Sequence, residues 1–409
     1  MNLRLRVLLA ALSFLLFLAP SPAVAESAKV RQGDKQVAAR QYKKAMNSFR
    51  AALKANPGDA EAMTRIGDLH ASGRGVPRSD EEAVRWYAKA APLGDAAARF
   101  ALAARYASGR GVGKDPAAAA RWCRLAADQG HPGAQSLLGF LYEQGMGVPR
   151  DEAESLSWYR KAAEGGDAAA QKLLAWRHLE GTGVPKDPAA AAMWYRKAAD
   201  AGDPDAQARL AGMYRDGIGV PKEPIEAATW YRKAAEKGNA EAFAGYGRAL
   251  LYGRGVAQDV PAAAGWIRKA AELGVPEGIF LRGVLYAYGI GEPKDDVEAL
   301  NEYRRSAEEG YVDGQLQVAG MHLTGRGAKQ SDNTAAAWYL RAAEAGSPDA
   351  QVMLGWMHEV GRGVPKDLGE AARWFRLAAA RGNSVARDHL RYIETLRVIS
   401  PAAPPLSLE

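Results

Sequence analysis

Nine Gly-x-Gly motifs follow one another along this 409-residue chain at a constant spacing of 36 residues. Length alone would suggest two or three globular domains. A constant period without insertion or deletion instead indicates one structural unit that is stacked repeatedly on its neighbours. The copies lie at Gly73/Gly75, Gly109/Gly111, Gly145/Gly147, Gly181/Gly183, Gly217/Gly219, Gly253/Gly255, Gly289/Gly291, Gly325/Gly327 and Gly361/Gly363.

Two further residue types share this period and predict the content of one unit. A third glycine follows each first one by 21 residues, and a tryptophan follows it by 13 residues in every copy except one, where Glu302 stands instead. Asp115 is typical of a helix start, Trp122 lies on the apolar face that follows, and Gly130 is typical of a helix end. We therefore predict an all-α protein, an α/α superhelical solenoid of nine 36-residue helical hairpins with helical caps.

The first 25 residues have the three parts of a secretory signal. Arg4 and Arg6 precede an apolar run from Val7 to Ala19, and an Ala-x-Ala sequence ends at Ala25. This run is shorter than the ~20 apolar residues that a membrane-spanning helix needs, so we favour cleavage after Ala25 over a membrane anchor. We expect a periplasmic or secreted protein without a stable membrane span. Its single cysteine, Cys123, excludes an intramolecular disulfide framework.

The elements Gly-x-Gly-Val-Pro, Ala-x-x-Trp-Tyr-Arg-Lys-Ala-Ala and Ala-Gln-x-x-Leu-Gly-x-x-Tyr resemble the Sel-one-like repeat (SLR) family, a branch of the tetratricopeptide-like helical repeats. The resemblance covers residues 59–382. It implies a superhelical solenoid, and members of the family mostly act as adaptors in protein complexes, often at bacterial envelopes. Residues 26–58 resemble a degenerate tetratricopeptide unit and form a predicted N-terminal cap. We predict a C-terminal cap helix at 383–397 and a flexible Pro-rich tail at 398–409.

The residue types most used in catalysis and metal binding occupy packing positions of the repeat. His70, His178, His322 and His358 stand where other copies carry Tyr or Leu, and Cys123 stands where others carry Tyr or Phe. We therefore predict no catalytic, cofactor or metal site and no enzyme activity. Arginines that follow the tryptophan position alternate with acids four residues later, which is typical of a solvated helix face. The net charge of +7 is modest for a chain of this length. Because acids also alternate with the arginines, we expect no nucleic-acid partner.

Positions that the repeat leaves variable are the candidates for recognition of a partner. The resemblance implies that the first helix of each hairpin lines a concave surface. One variable position on it, five residues before each Gly-x-Gly, holds both tryptophans that lie outside the main series. Since aromatic and arginine side chains are typical binding anchors, we predict a groove and a further apolar patch. The groove comprises Phe140, Trp176, Leu179, Arg215 and Arg248, and the apolar patch centres on Trp356. The open alternative is that the aromatic residues pack between adjacent repeats.

Together these features predict a non-catalytic protein–protein interaction scaffold or adaptor of the bacterial envelope. It would bind a protein or an extended peptide on the concave face and exist as a monomer, because stacked and capped repeats satisfy their own core. Two alternatives stay open. One is a periplasmic regulator that holds an envelope signalling protein inactive. The other is a cell-wall or β-lactam-acting enzyme, for which the sequence supplies no convergent set of titratable groups.

Overall fold

A computed structural model describes residues 28–399 of the chain. These residues form 21 α-helices and one short 3-10 turn, and no strand occurs among them. The predicted all-α fold class is confirmed, because the helices pair into successive hairpins. The described residues divide into two compact units with the boundary after Lys186, here called the N-terminal and C-terminal units. In each repeat, the helix that precedes Gly-x-Gly is called the A helix and the next is called the B helix.

The N-terminal unit begins with one helical hairpin that lies before the repeats. Three complete repeats and one further A helix follow, with A and B helices in strict alternation. The helices are α1 (Ala28–Ala38), α2 (Tyr42–Ala55), α3 (Ala60–Ser72), α4 (Asp80–Ala90), α5 (Ala96–Ser108), α6 (Pro116–Ala127), α7 (Pro132–Gln144), α8 (Glu152–Glu164) and α9 (Ala168–Glu180). The 3-10 turn, Ala91–Leu93, follows α4 directly.

The C-terminal unit begins with a B helix, continues through five complete repeats and ends with the last helix described. Its helices are α10 (Pro188–Asp200), α11 (Pro204–Asp216), α12 (Pro224–Glu236), α13 (Ala240–Tyr252), α14 (Val260–Glu272), α15 (Pro276–Tyr288), α16 (Asp296–Glu308), α17 (Val312–Thr324), α18 (Asp332–Glu344), α19 (Pro348–Val360), α20 (Leu368–Ala380) and α21 (Ser384–Ile399). The last of these extends two residues beyond the predicted end of the cap helix at residue 397.

Local capping chemistry determines where these helices begin and end. Asp115 accepts a hydrogen bond from the backbone N–H of Ala118, which satisfies one of the free donors of the first turn of α6. At the other end, the first glycine of each Gly-x-Gly takes a left-handed conformation, with φ between 63° at Gly253 and 76° at Gly181. Side chains other than glycine rarely adopt that conformation, so the motif ends every A helix at a defined residue.

The second glycine of the motif serves a contact between repeats. A Cβ atom added to Gly255 would lie 1.9 Å from the carbonyl oxygen of Pro224, in the first turn of the preceding B helix, and one added to Gly147 would lie 2.0 Å from that of Pro116. Real Cβ atoms do not approach an oxygen so closely. The loop after each of these A helices therefore packs directly on the backbone of the repeat before it.

Apolar side chains from consecutive helices form the core of each unit. In the N-terminal unit, Leu138 on α7 packs with Trp158 on α8, and alanines fill the space where the helices approach. The cation three residues after the tryptophan covers the indole face, since Lys161 Nζ lies 3.9 Å from the ring centroid of Trp158. Within each unit, A helices of adjacent repeats also contact one another, as α5 and α7 do and as α13 and α15 do. In these pairs the A helices therefore lie side by side within one unit.

The predicted signal segment, residues 1–25, lies outside the described residues, as does the predicted tail from residue 400 onward. Between residues 28 and 399, no helix is long and apolar enough to cross a bilayer.

Candidate functional site

In the N-terminal unit, the variable position five residues before Gly-x-Gly carries two exposed aromatic side chains. Phe140 on α7 is 42% exposed and Trp176 on α9 is 47% exposed. They are 36 residues apart and so occupy the same register on successive A helices. Leu179, one turn after Trp176, is half-buried. The predicted groove residues of this unit are therefore available at the surface of its A helices.

Trp356 occupies the same register on α19 but has a different environment. It is half-buried and packs against two apolar clusters of the C-terminal unit. Leu354 and Trp374 belong to the first cluster, and Phe375 belongs to the second. The guanidinium carbon of Arg362 lies 5.8 Å from the ring centroid of Trp356. The first cluster also contains side chains from the B helix of the preceding repeat, which favours packing between repeats, the alternative that the sequence left open.

Arg215 and Arg248 line one cavity of about 330 Å³ in the C-terminal unit. Arg215 lies near the end of the A helix α11, and Arg248 lies on the next A helix, α13. The walls combine charged and apolar groups from α11, α12 and α13 with the beginning of α17. The lining residues are Arg215, Asp216, Lys222, Pro224, Ala227, Ala228, Tyr231, Gly245, Arg248, Ala249, Arg254, Tyr311 and Asp313.

Carboxylates hold the two guanidinium groups in place. Arg215 Nε and Nη2 donate to the two carboxylate oxygens of Asp216, each at 2.7 Å, and this pairing lowers the pKa of Asp216. Glu277, on α15, lies between the two arginines, with Oε1 3.0 Å from Arg248 Nη1 and Oε2 3.8 Å from Arg215 Nη1. The side chains of Arg248 and Glu277 are mostly buried, so their attraction is less screened than at an open surface.

Two tyrosines complete the polar wall of the cavity. Arg215 Nη1 donates to the hydroxyl oxygen of Tyr231 at 3.2 Å. Burial raises the pKa of Tyr231 to about 12, and burial also raises the pKa of Tyr311 above its ordinary value, so both hydroxyls keep their protons at neutral pH. Gly245 makes room for this arrangement, because a Cβ atom there would lie 2.5 Å from Cε1 of the Tyr231 ring.

The same tyrosine position of the B helix reaches a variable A-helix residue in other repeats as well. Its hydroxyl partners are carboxylates in the N-terminal unit and an arginine in the C-terminal unit. The contacts are Tyr87 Oη to Asp68 Oδ1 at 2.8 Å, Tyr159 Oη to Glu143 Oε2 at 3.1 Å and Arg215 Nη1 to Tyr231 Oη at 3.2 Å. In these repeats a tyrosine that most copies share therefore contacts a residue at a variable position.

Sequence reasoning identified two residues of the cavity and missed the others. Tyr231 was not singled out because most copies of the repeat have a tyrosine at this position. Glu277 was not singled out because acids at the second residue of an A helix are common, as at Asp205 and Glu241. The sequence did indicate that Arg215 and Arg248 could act together, because they are the two arginines at the variable positions chosen for the groove. The sequence could not show that one carboxylate contacts both.

The residues considered for chemistry stand in packing environments. Cys123 is fully buried, its Sγ donates to the carbonyl oxygen of Ala134 at 3.0 Å, and burial raises the pKa of its thiol to about 12. His322 is buried on α17, and desolvation lowers its pKa. Within residues 28–399, no group of three or more His, Cys, Asp and Glu side chains is placed to hold a metal ion.

The chain was compared with known families, proteins and structures. The sequence model of the Sel1 repeat matches nine consecutive segments from residue 60 to residue 383. The crystal structure of c5321, a protective antigen of uropathogenic Escherichia coli strains with an SLR fold, is 32% identical with a TM-score of 0.63, over 90% of this chain and 87% of that one. A Sel1 repeat protein from Oxalobacter formigenes is 35% identical with a TM-score of 0.53, over 60% of this chain and 99% of that one. A search of curated proteins found no match.

The matched segments span the A and B helices described above and cover most of the chain. This repeat fold, related to the tetratricopeptide-like repeats, suggests a protein-interaction scaffold. The predicted family is confirmed, and the chain belongs to the Sel1 repeat family.

Proposed function

We propose that this protein is a non-catalytic adaptor of the bacterial envelope that binds a protein or an extended peptide on its A helices. The observation that carries the proposal is the cavity of the C-terminal unit, where Arg215 and Arg248 from variable positions stand beside the hydroxyl of Tyr231. Arginine and tyrosine dominate the energetics of many protein interfaces, because both combine a large contact area with directional hydrogen bonds.

The charged groups of the cavity suit binding. The carboxylate of Asp216 is held by two hydrogen bonds from Arg215, and the Tyr231 hydroxyl keeps its proton at neutral pH. Groups of this kind orient a ligand by charge and hydrogen bonding. A general base would need a pKa near the working pH, which these groups do not have.

The envelope location draws on two independent observations. Residues 1–25 have the pattern of a cleavable secretory signal. The E. coli relative with 32% identity is a protective antigen, and a location accessible to the host suits that role, so we propose the same location for this chain. A solenoid scaffold at this location needs no disulfides, since its stability comes from stacking each repeat on the next.

The test is crosslinked capture of partners from the periplasm of the source bacterium, with the purified protein as bait. Trp176→Ala and Arg248→Gln should each reduce the yield of captured proteins, because each residue occupies a variable position on an A helix that the proposal assigns to binding. Leu125→Ala and Arg232→Gln, which remove an exposed apolar side chain and an exposed charge from B helices, serve as matched controls. Circular dichroism verifies that each variant is folded.

Capture that is equal for the wild type and for both A-helix variants would contradict the proposed binding surface. Hydrolysis of a chromogenic β-lactam or of peptidoglycan by the purified protein would contradict the non-catalytic assignment. If the captured protein is an envelope sensor whose output rises when the gene is deleted, the adaptor role would be replaced by that of a regulator.

A further inference from the structure

The two arginines of the cavity differ in how completely the protein satisfies them. Arg215 uses Nε and Nη2 on Asp216 and Nη1 on the Tyr231 hydroxyl. Arg248 forms an ion pair through Nη1 with Glu277 Oε1 at 3.0 Å, and that oxygen is itself without a hydrogen-bond partner within residues 28–399. Arg248 Nη2 is buried and has no hydrogen-bond partner among the described residues, although 22% of its side chain is exposed. Arg248 is therefore the donor that the fold positions and leaves incomplete.

The position of Glu277 shows which chemical group fits this environment. Its carboxylate lies between the two guanidinium groups, with its oxygens 3.0 Å from Arg248 Nη1 and 3.8 Å from Arg215 Nη1. A planar carboxylate matches the fork of donors on an arginine, and such pairs are stronger than neutral hydrogen bonds. Glu277 thus contacts both arginines from outside the cavity lining, while the unpaired Nη2 of Arg248 remains for another carboxylate.

The charges on the wall attract an anion from solvent. Four cationic side chains outnumber the two carboxylates of the lining, and the balance stays positive when Glu277 is added. Two of the cations, Lys222 and Arg254, are exposed. They lie in the loops that follow α11 and α13, where an anion from solvent can contact them. Positive charge around a cleft raises the rate at which anionic partners arrive.

We propose that this cavity binds a carboxylate group of an extended peptide, with Arg248 as the principal donor and Arg254 as the second contact. This inference rests on the proposed function, because the peptide belongs to the protein partner. Binding would turn the guanidinium of Arg248 slightly, so that its buried Nη2 faces the ligand. A dianionic phosphate is less suitable, because Asp216, Asp313 and Glu277 would all repel its additional charge.

The probes are four pools of acetylated hexapeptides with randomised uncharged interior positions. They differ in having a free or an amidated C-terminus, each with or without one glutamate. Equilibrium dialysis against the purified protein, read by mass spectrometry, measures the retention of each pool. We expect each pool with a carboxylate to be retained more than the neutral pool, and the comparison of the two singly charged pools separates a terminal from a side-chain carboxylate.

Arg248→Gln and Arg254→Gln should each weaken retention of the preferred pool by roughly tenfold, about 1.4 kcal/mol. Arg254 is exposed in a loop, so its variant tests the proposal even if Arg248→Gln is poorly folded. Arg209→Gln removes one surface charge from α11, outside the cavity lining, and should leave retention unchanged. Acetate should compete with the peptides at lower concentration than inorganic phosphate does.

Equal retention of the neutral and carboxylate pools, or stronger competition by phosphate than by acetate, would overturn the carboxylate assignment. The same conclusion follows if both cavity variants retain peptides as the Arg209→Gln control does. These outcomes leave the adaptor proposal standing when the periplasmic capture experiment still yields a partner. A wild-type bait that captures no protein would instead refute the adaptor function itself.

Discussion

In the repeat that spans residues 276–311, an ion pair replaces an apolar contact found in other repeats. Elsewhere an A-helix leucine packs with the B-helix tryptophan that follows it by twenty residues, as Leu354 and Trp374 do. Here these positions are Arg282 and Glu302, whose side chains are hydrogen-bonded. Only 7% of the Glu302 side chain and 22% of that of Arg282 are exposed. We predict that changing either residue alone is costly and that changing both together is not.

The magnitude follows from the burial of the pair. Breaking a buried ion pair by removing one partner costs about 3–5 kcal/mol, because an uncompensated charge stays buried. The lower end, about 3 kcal/mol, applies here since Arg282 partly reaches solvent. Arg305 also lies 3.0 Å from the carboxylate of Glu302 and keeps some compensation when Arg282→Leu is made. The single variants Arg282→Leu and Glu302→Trp should each have a free energy of unfolding about 3 kcal/mol below that of the wild type.

The double variant Arg282→Leu/Glu302→Trp restores the apolar pair of the other repeats. Arg305 can then cover the new indole, as the cation at this position does elsewhere, for example Arg341 over Trp338 at 4.5 Å. Apolar replacement of a buried pair is neutral or stabilising by about 1–4 kcal/mol. The coupling energy of the double-mutant cycle should therefore be roughly 6 kcal/mol or more.

Urea unfolding followed by far-UV circular dichroism measures the free energy of unfolding of the four proteins. On heating, each single variant should unfold roughly 6–12 °C below the wild type for a unit of this size. Hydrogen exchange in α15 and α16 shows whether the change is local, since repeat arrays need not unfold in one step. The exposed pair Arg209–Glu241 supplies a control cycle with a coupling below about 1 kcal/mol. A double variant as unstable as the sum of its single changes would refute the reasoning.

Three further predictions concern packing. Gly245→Ala should displace the Tyr231 ring and destabilise the protein by about 1–2 kcal/mol in urea unfolding, because overpacking exceeds the gain in helix propensity; unchanged stability would contradict the contact. Gly255 has a φ of 74° and contacts the backbone of the preceding repeat, whereas Gly274 has a φ of 77° and open space around it. Gly255→Ala should therefore lower the free energy of unfolding several times more than Gly274→Ala does. Equal melting temperatures of the two variants would disprove the packing role of Gly255. Cys123, whose pKa burial raises to about 12, should react with an aromatic disulfide reagent only after unfolding, and rapid labelling of the native protein would show the burial to be incorrect.

The candidate site was only partly predictable from the sequence. The variable positions of the A helix led to Arg215 and Arg248, which line one cavity. The same criterion selected Trp176 and Trp356, which share one register, yet the first is exposed and the second is half-buried. The register specifies the direction of a side chain from its own helix. Its burial depends on what the surrounding helices place beside it, and for Trp356 these include Phe375 on the B helix of the same repeat.

The sequence by itself determined the repeating unit, because the signals for it act over a few residues. Asp115 caps a helix, Gly130 ends one, and the 36-residue period shows that every hairpin must stack on the next. Tertiary structure decided what depends on distances between repeats. It showed that the second glycine of the motif packs on the preceding helix, and that Glu277 lies within 4 Å of arginines on two other helices. Periodicity specifies which residues are equivalent, whereas the pairing of charges and the space between them arise only when non-equivalent residues from different repeats meet.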